Sequence, residues 1–258
     1  MNADFEDWGA SAPAGVGARF FSECDSTNAV ASALAHAGES GPLWVIAGRQ
    51  SAGRGRRGQV WTSDTGNLYA SLLFRPAIKP VEMAAVPFIV ALAVRDTFVD
   101  LGANAVQCKW PNDVLIAGSK ASGVLIESSA RNADKLEYVV IGIGLNLAHS
   151  PSDARFPATS LEAVTGTAPN VRLAFQTLSH HLFERLTNWK TDELAPIAQE
   201  WAASAWGLGK RCVLRTAAET FEGTPQELGS DGGLIVRLDD GQERRIYAGD
   251  IFPVGGME

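Results

Sequence analysis

Cysteine and histidine are scarce in this sequence of 258 residues. The three cysteines, Cys24, Cys108 and Cys212, are odd in number and far apart, so they form neither a disulfide framework nor a Cys-x-x-Cys motif. The four histidines show none of the spacings typical of zinc sites. These absences favour a reducing compartment and predict that no metal ion is held by protein side chains alone.

Long apolar runs are also missing. The longest, over residues 84–94, is interrupted by Pro87, is followed by two charged residues and is too short to cross a bilayer. The first ten residues include three acidic ones and lack a basic segment before an apolar run, which argues against a secretory signal. The sequence therefore predicts a cytoplasmic protein that does not associate with membranes.

Basic residues are outnumbered by acidic ones, yet several of them gather in one short stretch. Lys and Arg total 22 against 29 Asp and Glu, and the net charge of −7 argues against a protein that coats nucleic acid through its global field. Arg49, Arg54, Arg56 and Arg57 lie close together among glycines. A basic, glycine-rich loop in an acidic protein indicates a site for a small anion.

The hydrophobic pattern predicts an α+β protein, and 46% hydrophobic residues suffice for a sizeable core. Residues 1–18 show no periodicity and are expected to be irregular. A helix is predicted over the Ala-rich run that follows residues 26–28 and ends at residue 37, and further helices over 81–101, 171–189 and 193–206. Strands are predicted over 43–47, 67–74, 106–110, 114–116, 122–128 and 137–143. Because short turns join consecutive strands, the sheet is predicted to be mixed or antiparallel.

The pattern changes after residues 207–209, where two glycines flank a leucine. Short strands are predicted over 211–215, 220–224, 234–238 and 243–246, and Asp-Gly turns separate them. About fifty residues of this kind suit a small β-barrel. The chain is therefore predicted to consist of a catalytic domain over residues 1–206 and a small β-domain over residues 207–258.

The basic loop over residues 48–61 is the most informative segment. Gly53, Gly55 and Gly58 let backbone N–H groups approach an anion, and the arginines offer planar charged groups suited to phosphate. Trp61 offers an aromatic face for a purine. A solvated basic turn and an RNA-contact loop are the alternatives. Packed like charges and glycines predict a loop that orders on its ligand.

Three further segments place polar groups at the ends of predicted elements, and each has a structural alternative. Lys109 ends a strand before Pro111, where it is either a positioned ammonium or an incidental part of a turn. Residues 26–28 could cap a helix or bind the polar head group of a ligand. The glycines before Asn146 permit close backbone approach or mark a β-bulge.

Taken in order, these segments resemble the biotin protein ligases. The residues that carry the likeness are Asp25-Ser26-Thr27-Asn28, Gly53-Arg54-Gly55-Arg56-Arg57-Gly58 with Trp61, Lys109-Trp110-Pro111-Asn112-Asp113, Lys120 with Gly123-Val124-Leu125, and Gly142-Ile143-Gly144-Leu145-Asn146. The likeness runs from about residue 20 onward. It implies a class II synthetase-like catalytic domain followed by a small β-barrel.

The resemblance implies a two-step ligase that uses biotin, ATP and Mg²⁺. Biotin and ATP give biotinyl-5'-AMP and pyrophosphate, and the ε-amine of a lysine on a biotin carrier protein then takes the biotinyl group. Fixed cations must offset the repulsion between the carboxylate and the α-phosphate. The residues implied as catalytic are Lys109, Arg54 and Arg56.

The implied binding residues divide by the part of the ligands that they contact. Biotin's ureido head is matched to Ser26, Thr27, Asn28, Gln50 and Arg54. The phosphates are matched to the basic loop over residues 48–61, called the arginine loop from here on. The adenine is matched to Trp61 and Asn146, and the acyl or phosphate region to Lys120. The full implied set is Ser26, Thr27, Asn28, Gln50, Gly53, Arg54, Gly55, Arg56, Arg57, Trp61, Lys109, Lys120, Gly123, Gly142 and Asn146.

The sequence departs from the family at Gln59, where an arginine is usual, and Arg49 is one candidate to replace the lost contact. Fewer than thirty residues precede Ser26, so no DNA-binding domain and no operator binding are expected. Monomer and homodimer stay open. The alternatives are a lipoate or octanoyl protein ligase of the same fold and a non-enzymatic RNA-binding regulator.

Overall fold

The structure is a computed structural model that describes residues 5–132, 134–152, 156–190 and 194–255. Its larger sheet contains the strands β1 (Glu6–Asp7), β2 (Gly17–Phe21), β3 (Leu43–Ala47), β4 (Leu68–Phe74), β5 (Val106–Lys109), β6 (Asp113–Ile116), β7 (Ser119–Asn132) and β8 (Lys135–Leu145). The eight strands follow the order β1-β2-β3-β4-β8-β7-β6-β5. Among these strands of the described residues, β2 and β3 pair in parallel and the other neighbours are antiparallel, so the prediction of a mixed sheet is confirmed.

The expectation of an irregular lead-in over residues 1–18 is wrong for the described part, since β1 pairs with β2. Trp8 stacks on Phe20 with ring centroids 4.4 Å apart, and Arg172 lies over the Trp8 ring. This contact spans distant parts of the chain, so local periodicity carried no sign of it. Residues 1–4 lie outside the described residues.

Helices cover the two faces of the larger sheet unequally. They are α1 (Thr27–His36), α2 (Val86–Asp100), α3 (Leu161–Thr165), α4 (Val171–Asn188) and α5 (Leu194–Ala203). Strand residues alternate between faces. Ile46, Leu72 and Ile141 join the core around α2 and α4, whereas Val45, Leu73 and Val140 pack with α1. The short α1 leaves part of its face uncovered, and the candidate site lies there.

Helix α2 is buried on most sides because the sheet, α4 and α5 all pack against it. The single helix predicted over 81–101 is divided in the structure. Residues Pro80–Ala85 form a 3₁₀ helix and α2 begins at Val86. Pro87 then lies in the first turn of α2, where a missing N–H costs no hydrogen bond, and this explains the division.

The C-terminal sheet comprises β9 (Cys212–Arg215), β10 (Thr220–Leu228), β11 (Leu234–Arg237), β12 (Glu243–Ile246) and β13 (Asp250–Pro253). All its pairings are antiparallel, in the order β12-β11-β10-β9-β13. The prediction of a small β-domain after the helices is confirmed, and the structure builds it as an antiparallel sheet. Strand β13 was not predicted because its four residues lack a clear alternation of apolar and polar side chains.

The connection between the two sheets passes beside β5. Cys108 N–H donates to the carbonyl of Ser204 (2.9 Å), and Trp206 N–H donates to the carbonyl of Cys108 (2.8 Å). The connecting segment therefore continues the larger sheet beyond its edge strand. It brings the C-terminal sheet next to Lys109, the last residue of β5.

Candidate active site

The uncovered part of the α1 face holds a cavity of about 590 Å³. The arginine loop, the larger sheet and the C-terminal sheet enclose it. It brings together nearly all residues that sequence reasoning assigned to a site. Those that line it are Ser26, Thr27, Asn28, Gln50, Arg54, Gly55, Arg56, Arg57, Trp61, Lys109, Lys120, Gly123, Gly142 and Asn146.

Gly53 is the exception, since it lies on a second cavity of about 470 Å³ behind the arginine loop. Arg49 lines this second cavity and not the first, and it pairs with Glu23 at 3.4 Å. The structure therefore does not support Arg49 as the replacement at Gln59. Gln59 lines the first cavity, as does Arg215 from the C-terminal sheet.

One end of the cavity contains a buried hydrogen-bond network. Gln50 Oε1 accepts from the backbone N–H of Thr27 (2.8 Å) and from its hydroxyl (3.1 Å). Ser71 Oγ lies 2.7 Å from Thr27 Oγ1 and 2.6 Å from Asn28 Oδ1. Asn28 Nδ2 donates to Glu127 Oε2 at 2.7 Å. These contacts fix the side chains of Thr27 and Asn28, so this end of the cavity presents preset polar groups.

Ser71 and Glu127 were missed by sequence reasoning because each lies in the middle of a strand, far from any motif. Only strand register brings them to Asn28. Ser26 precedes α1 in an extended conformation, but its side chain forms no capping hydrogen bond. The capping alternative for Ser26 is therefore wrong, and its buried side chain lines the cavity instead.

The glycines of β8 are required by close packing and not by a bulge. The pairing of β8 with β4 continues through Gly142 and Gly144 without a register shift, so the β-bulge alternative is wrong. The Asn28 amide lies directly over Gly142, and any Cβ there would overlap it. A Cβ on Gly144 would lie 2.6 Å from the Trp61 ring.

Trp61 lies flat against the sheet at this point. A Cβ on Gly123 would come within 2.9 Å of its ring, and Lys120 Nζ lies 5.5 Å from a Trp61 ring centroid. The indole Nε1 is buried and has no hydrogen-bond partner among the described residues. A ligand oxygen or nitrogen at this position would satisfy that donor. The glycines thus create the space that the indole occupies.

Lys109 places its ammonium in the wall of the cavity with only 3% of its side chain exposed. Its Nζ lies 3.7 Å from Asp113 Oδ2, while Lys120 Nζ lies 2.7 Å from Asp113 Oδ1. Burial lowers the pKa of Lys109, and Asp113 partly offsets this. Burial alone would raise the pKa of Asp113, but Lys120 and Lys109 hold it below its usual range.

The depressed pKa of Lys109 predicts that its charge destabilises the fold. The folded state binds this proton less tightly than the unfolded state. The loss of folding free energy is therefore complete below the pKa of Lys109 in the folded protein, and it disappears as pH rises toward the pKa of Lys109 in the unfolded chain. We expect Lys109→Met to melt at a higher temperature than the parent near pH 7, with the difference shrinking at alkaline pH. Calorimetry from pH 6 to 10 measures the melting temperatures, and exposed Lys135→Met is the control. An equal or lower melting temperature of Lys109→Met near pH 7 would contradict the prediction.

Two arginines of the arginine loop contact opposite walls of the cavity. Arg56 donates to Asn112 Oδ1 (3.0 Å), in the turn between β5 and β6, and Arg57 pairs with Asp250 of β13 (3.1 Å). Asn146, assigned to the adenine, donates its amide to the carbonyl of Thr159 (3.1 Å). The contacts to Asn112 and Asp250 join segments that are distant in sequence.

Several further residues of the cavity escaped sequence reasoning because they belong to other segments. They are Phe156, Arg215, Asp250 and Phe252. Three of these come from the C-terminal sheet, so the cavity is built by both sheets. Nothing in the local pattern of β9 or β13 indicates a site.

Within residues 5–132, 134–152, 156–190 and 194–255, no group of three or more His, Cys, Asp or Glu side chains is placed to hold a metal ion. Asp113 and Asp250 line the cavity, but both are paired with cations. This donor set does not fit a Mg²⁺ site built by the protein alone. The same described residues contain no helix that is long and apolar enough to cross a membrane.

Comparisons with known proteins match both parts of this fold. The sequence pattern of the Biotin/lipoate A/B protein ligase family fits residues 20–146, and that of the Biotin protein ligase C terminal domain fits residues 207–252. The fold and cavity thus define a ligase of the biotin and lipoate class. A biotin–[acetyl-CoA-carboxylase] ligase of Paracoccus denitrificans is 36% identical over 235 residues, which cover 88% of this chain and 97% of that protein.

Two further proteins are similar to this chain over most of its length. The bifunctional ligase/repressor BirA of Bacillus subtilis is 33% identical over 88% of this chain and 70% of its own length. A solved structure of a biotin protein ligase from Aquifex aeolicus in complex with biotin and ATP superposes with a TM-score of 0.77, at 26% identity, over 91% of this chain and 97% of that one. With these matches along nearly its whole length, the chain belongs to the biotin protein ligase family.

Proposed function

We propose that this protein activates biotin with ATP and transfers the biotinyl group to a lysine of a biotin carrier protein, such as the carrier subunit of acetyl-CoA carboxylase. One observation carries the proposal for the site. The nearly buried ammonium of Lys109 faces a cavity that Arg54, Arg56 and Arg57 also line. The relatives named above support the choice of biotin.

In the first step a biotin carboxylate oxygen forms a bond to the α-phosphorus of ATP, and the bond to pyrophosphate breaks. Both reactants are anions, so preset cations lower the cost of bringing them together. Lys109 binds the carboxylate and the α-phosphate, while Arg54, Arg56 and Arg57 neutralise the phosphates. Any Mg²⁺ would arrive bound to ATP and would supply further neutralisation of its charge, since the described residues form no metal site of their own.

The polar network around Asn28 holds the ureido head of biotin in our proposal. Ser26, Thr27, Asn28 and Gln50 surround that end of the cavity. Trp61 and Asn146 hold the adenine, and Lys120 contacts the acyl or phosphate region. Gly123 and Gly142 leave the space that these side chains and the ligand need.

In the second step the ε-amine of the carrier lysine attacks the acyl carbon of the adenylate. An amide bond forms, the mixed anhydride breaks and AMP leaves. The arginine loop covers the adenylate and keeps water away from it. We also propose that the two domains divide between Trp206 and Gly207, where the C-terminal match begins, and that the enzyme acts in the cytoplasm.

The proposal is tested by mass spectrometry of a biotin carrier domain after incubation with this protein, biotin and MgATP. We expect one biotin-sized mass gain that requires all three components. Lipoate replaces biotin in a parallel reaction, since the larger family match also includes lipoate ligases. Labelling by lipoate alone, or by neither acid, would overturn the proposal.

The buried network yields a prediction for biotin binding. Ser71→Ala removes a hydroxyl that contacts both Thr27 and Asn28, so these side chains lose their fixed orientation. A lost neutral hydrogen bond of about 1 kcal/mol corresponds to roughly 3- to 10-fold weaker biotin binding. Calorimetric titration measures this. Ser129→Ala, which removes a hydroxyl bound to Glu137 farther along the larger sheet, is the matched control and keeps the parent affinity.

A further inference from the structure

A small apolar cluster lies next to Lys109, where the two sheets meet. It contains Leu115 of β6, Phe156 and Phe252 of β13, with Trp206 and Val213 packed against it. The rings of Phe156 and Phe252 have centroids 6.4 Å apart, and Trp206 meets Phe156 edge to face at 5.7 Å. The cluster holds both phenylalanine rings in fixed positions.

Both rings face the ammonium of Lys109. Its Nζ lies 4.6 Å from the centroid of Phe156 and 5.7 Å from that of Phe252. These distances fall within the range of cation–π contacts. Among the described residues, the nearest carboxylate oxygen is Oδ2 of Asp113, 3.7 Å away, which is too far for a good hydrogen bond. In the described part of the chain, two aromatic faces therefore surround the ammonium together with the Asp113 carboxylate.

We propose that Phe156 and Phe252 form an aromatic clamp that keeps the Lys109 ammonium charged and in place for the reactants. This inference rests on the proposed function, in which Lys109 binds the carboxylate and the α-phosphate. The two phenylalanines are positioning residues because they act through Lys109. Phe252 belongs to the last strand, so the C-terminal sheet takes part in the first chemical step.

The physical advantage of the aromatic clamp is that a ring stabilises positive charge without accepting a hydrogen bond in the usual geometry. A carboxylate at hydrogen-bond distance, closer than Asp113 is, would bind the N–H groups that the anionic oxygens of biotin and ATP need. The faces of two rings offset part of the cost of burying the charge and leave the N–H groups available. The contact is strengthened by the near-complete burial of Lys109.

Other charged groups also act on Lys109, and the test must separate them from the rings. Asp113, Lys120 and Asp250 influence the Lys109 charge electrostatically. Arg56 lines the same cavity, and Arg215 lies 5.3 Å from the Phe252 ring centroid. All five groups are retained when Phe252 is replaced by another uncharged residue. A change in pH dependence therefore reports the ring.

The experiment compares Phe252→Leu and Phe252→Tyr in the full chain. Phe221→Leu is the matched control, since Arg244 lies 4.9 Å from the Phe221 ring centroid in the same sheet, outside the cavity lining. Single-turnover formation of biotinyl-adenylate is measured at saturating biotin and MgATP over a range of pH. We expect Phe252→Leu to slow this step roughly 3- to 30-fold.

The pH dependence of the adenylation rate distinguishes this role from a merely structural one, which would leave the pH dependence unchanged. A ring face favours the charged lysine, so its loss lowers the pKa of Lys109. The alkaline loss of activity then shifts to lower pH by about half to one unit in Phe252→Leu. Phe252→Tyr retains the ring and restores the parent profile, whereas Phe221→Leu changes neither rate nor profile.

The inference is overturned if Phe252→Leu matches Phe221→Leu in rate and pH profile. It is also overturned if Phe252→Leu slows the step as strongly in a Lys109→Met background as in the parent, because the ring would then act without the lysine. Should Phe252→Leu fail to fold, Phe156→Leu is measured with the same expectations. An unchanged rate in Lys109→Met alone would instead refute the proposed function.

Discussion

Lys109→Met should slow the formation of biotinyl-adenylate by about 10²- to 10³-fold, the range observed when one preset group that stabilises transition-state charge is lost. Two anionic groups must meet in this step, and the side chain of Lys109 is nearly buried where the arginines also reach the cavity. Methionine keeps the apolar length of the side chain. The loss should therefore lie in the rate constant of the step, with biotin affinity much less affected.

Rapid-quench measurement of adenylate in a single turnover tests this directly. Exposed Lys135→Met is the matched control and keeps the parent rate. The same Lys109→Met protein is expected to be more stable near pH 7, so misfolding does not account for its loss of activity. A parent-like rate would show that Lys109 does not contact the reacting groups.

Gly53→Ala should cause the second-largest loss, in the retention of the adenylate. A Cβ at this position would lie 2.5 Å from both Ser63 Oγ and the carbonyl oxygen of Trp61. Trp61 N–H also donates to the Gly53 carbonyl at 2.9 Å. The loop must move to admit the methyl group, and Trp61 must move with it. Overpacking of about 1–3 kcal/mol predicts roughly 5- to 150-fold faster escape of adenylate.

Escaped adenylate labels the amines of other proteins, so non-carrier biotinylation in a mixture measures this effect. Gly55→Ala is the matched variant in the same loop, because its Cβ would lie 3.6 Å from the nearest atom, in ordinary contact. We expect a much smaller rise in stray labelling from Gly55→Ala. Equal labelling from the two variants would refute the role of Gly53 packing in loop closure.

The polar and basic residues of the candidate site were predictable because they lie in short segments whose chemistry is local. The glycines and arginines of one loop indicate anion binding without knowledge of the fold, whereas the lysine before the Trp-Pro turn was ambiguous by itself. The segments beginning at Ser26 and Gly142 were ambiguous by themselves. Their resemblance, in this order, to one family removed the ambiguity, and the structure brings both to one cavity.

Residues outside these segments that line the cavity or hold its side chains were not predictable. Ser71 and Glu127 meet Asn28 only through strand register, and Phe252 reaches Lys109 only because the C-terminal sheet packs beside β5. Such contacts depend on which residues of distant strands share a face. No local pattern encodes that information.

The sequence by itself determined most of the helices and strands, the change to a small β-domain near residue 207 and the presence of one basic, glycine-rich loop in an acidic protein. It did so because hydrophobic period, turn residues and charge act over a few positions. The tertiary structure decided that Trp8 stacks on Phe20, that Trp61 packs on the glycines of the larger sheet and that phenylalanine rings contact Lys109. Those features arise from packing between segments far apart in the chain, where complementary shape selects the partner.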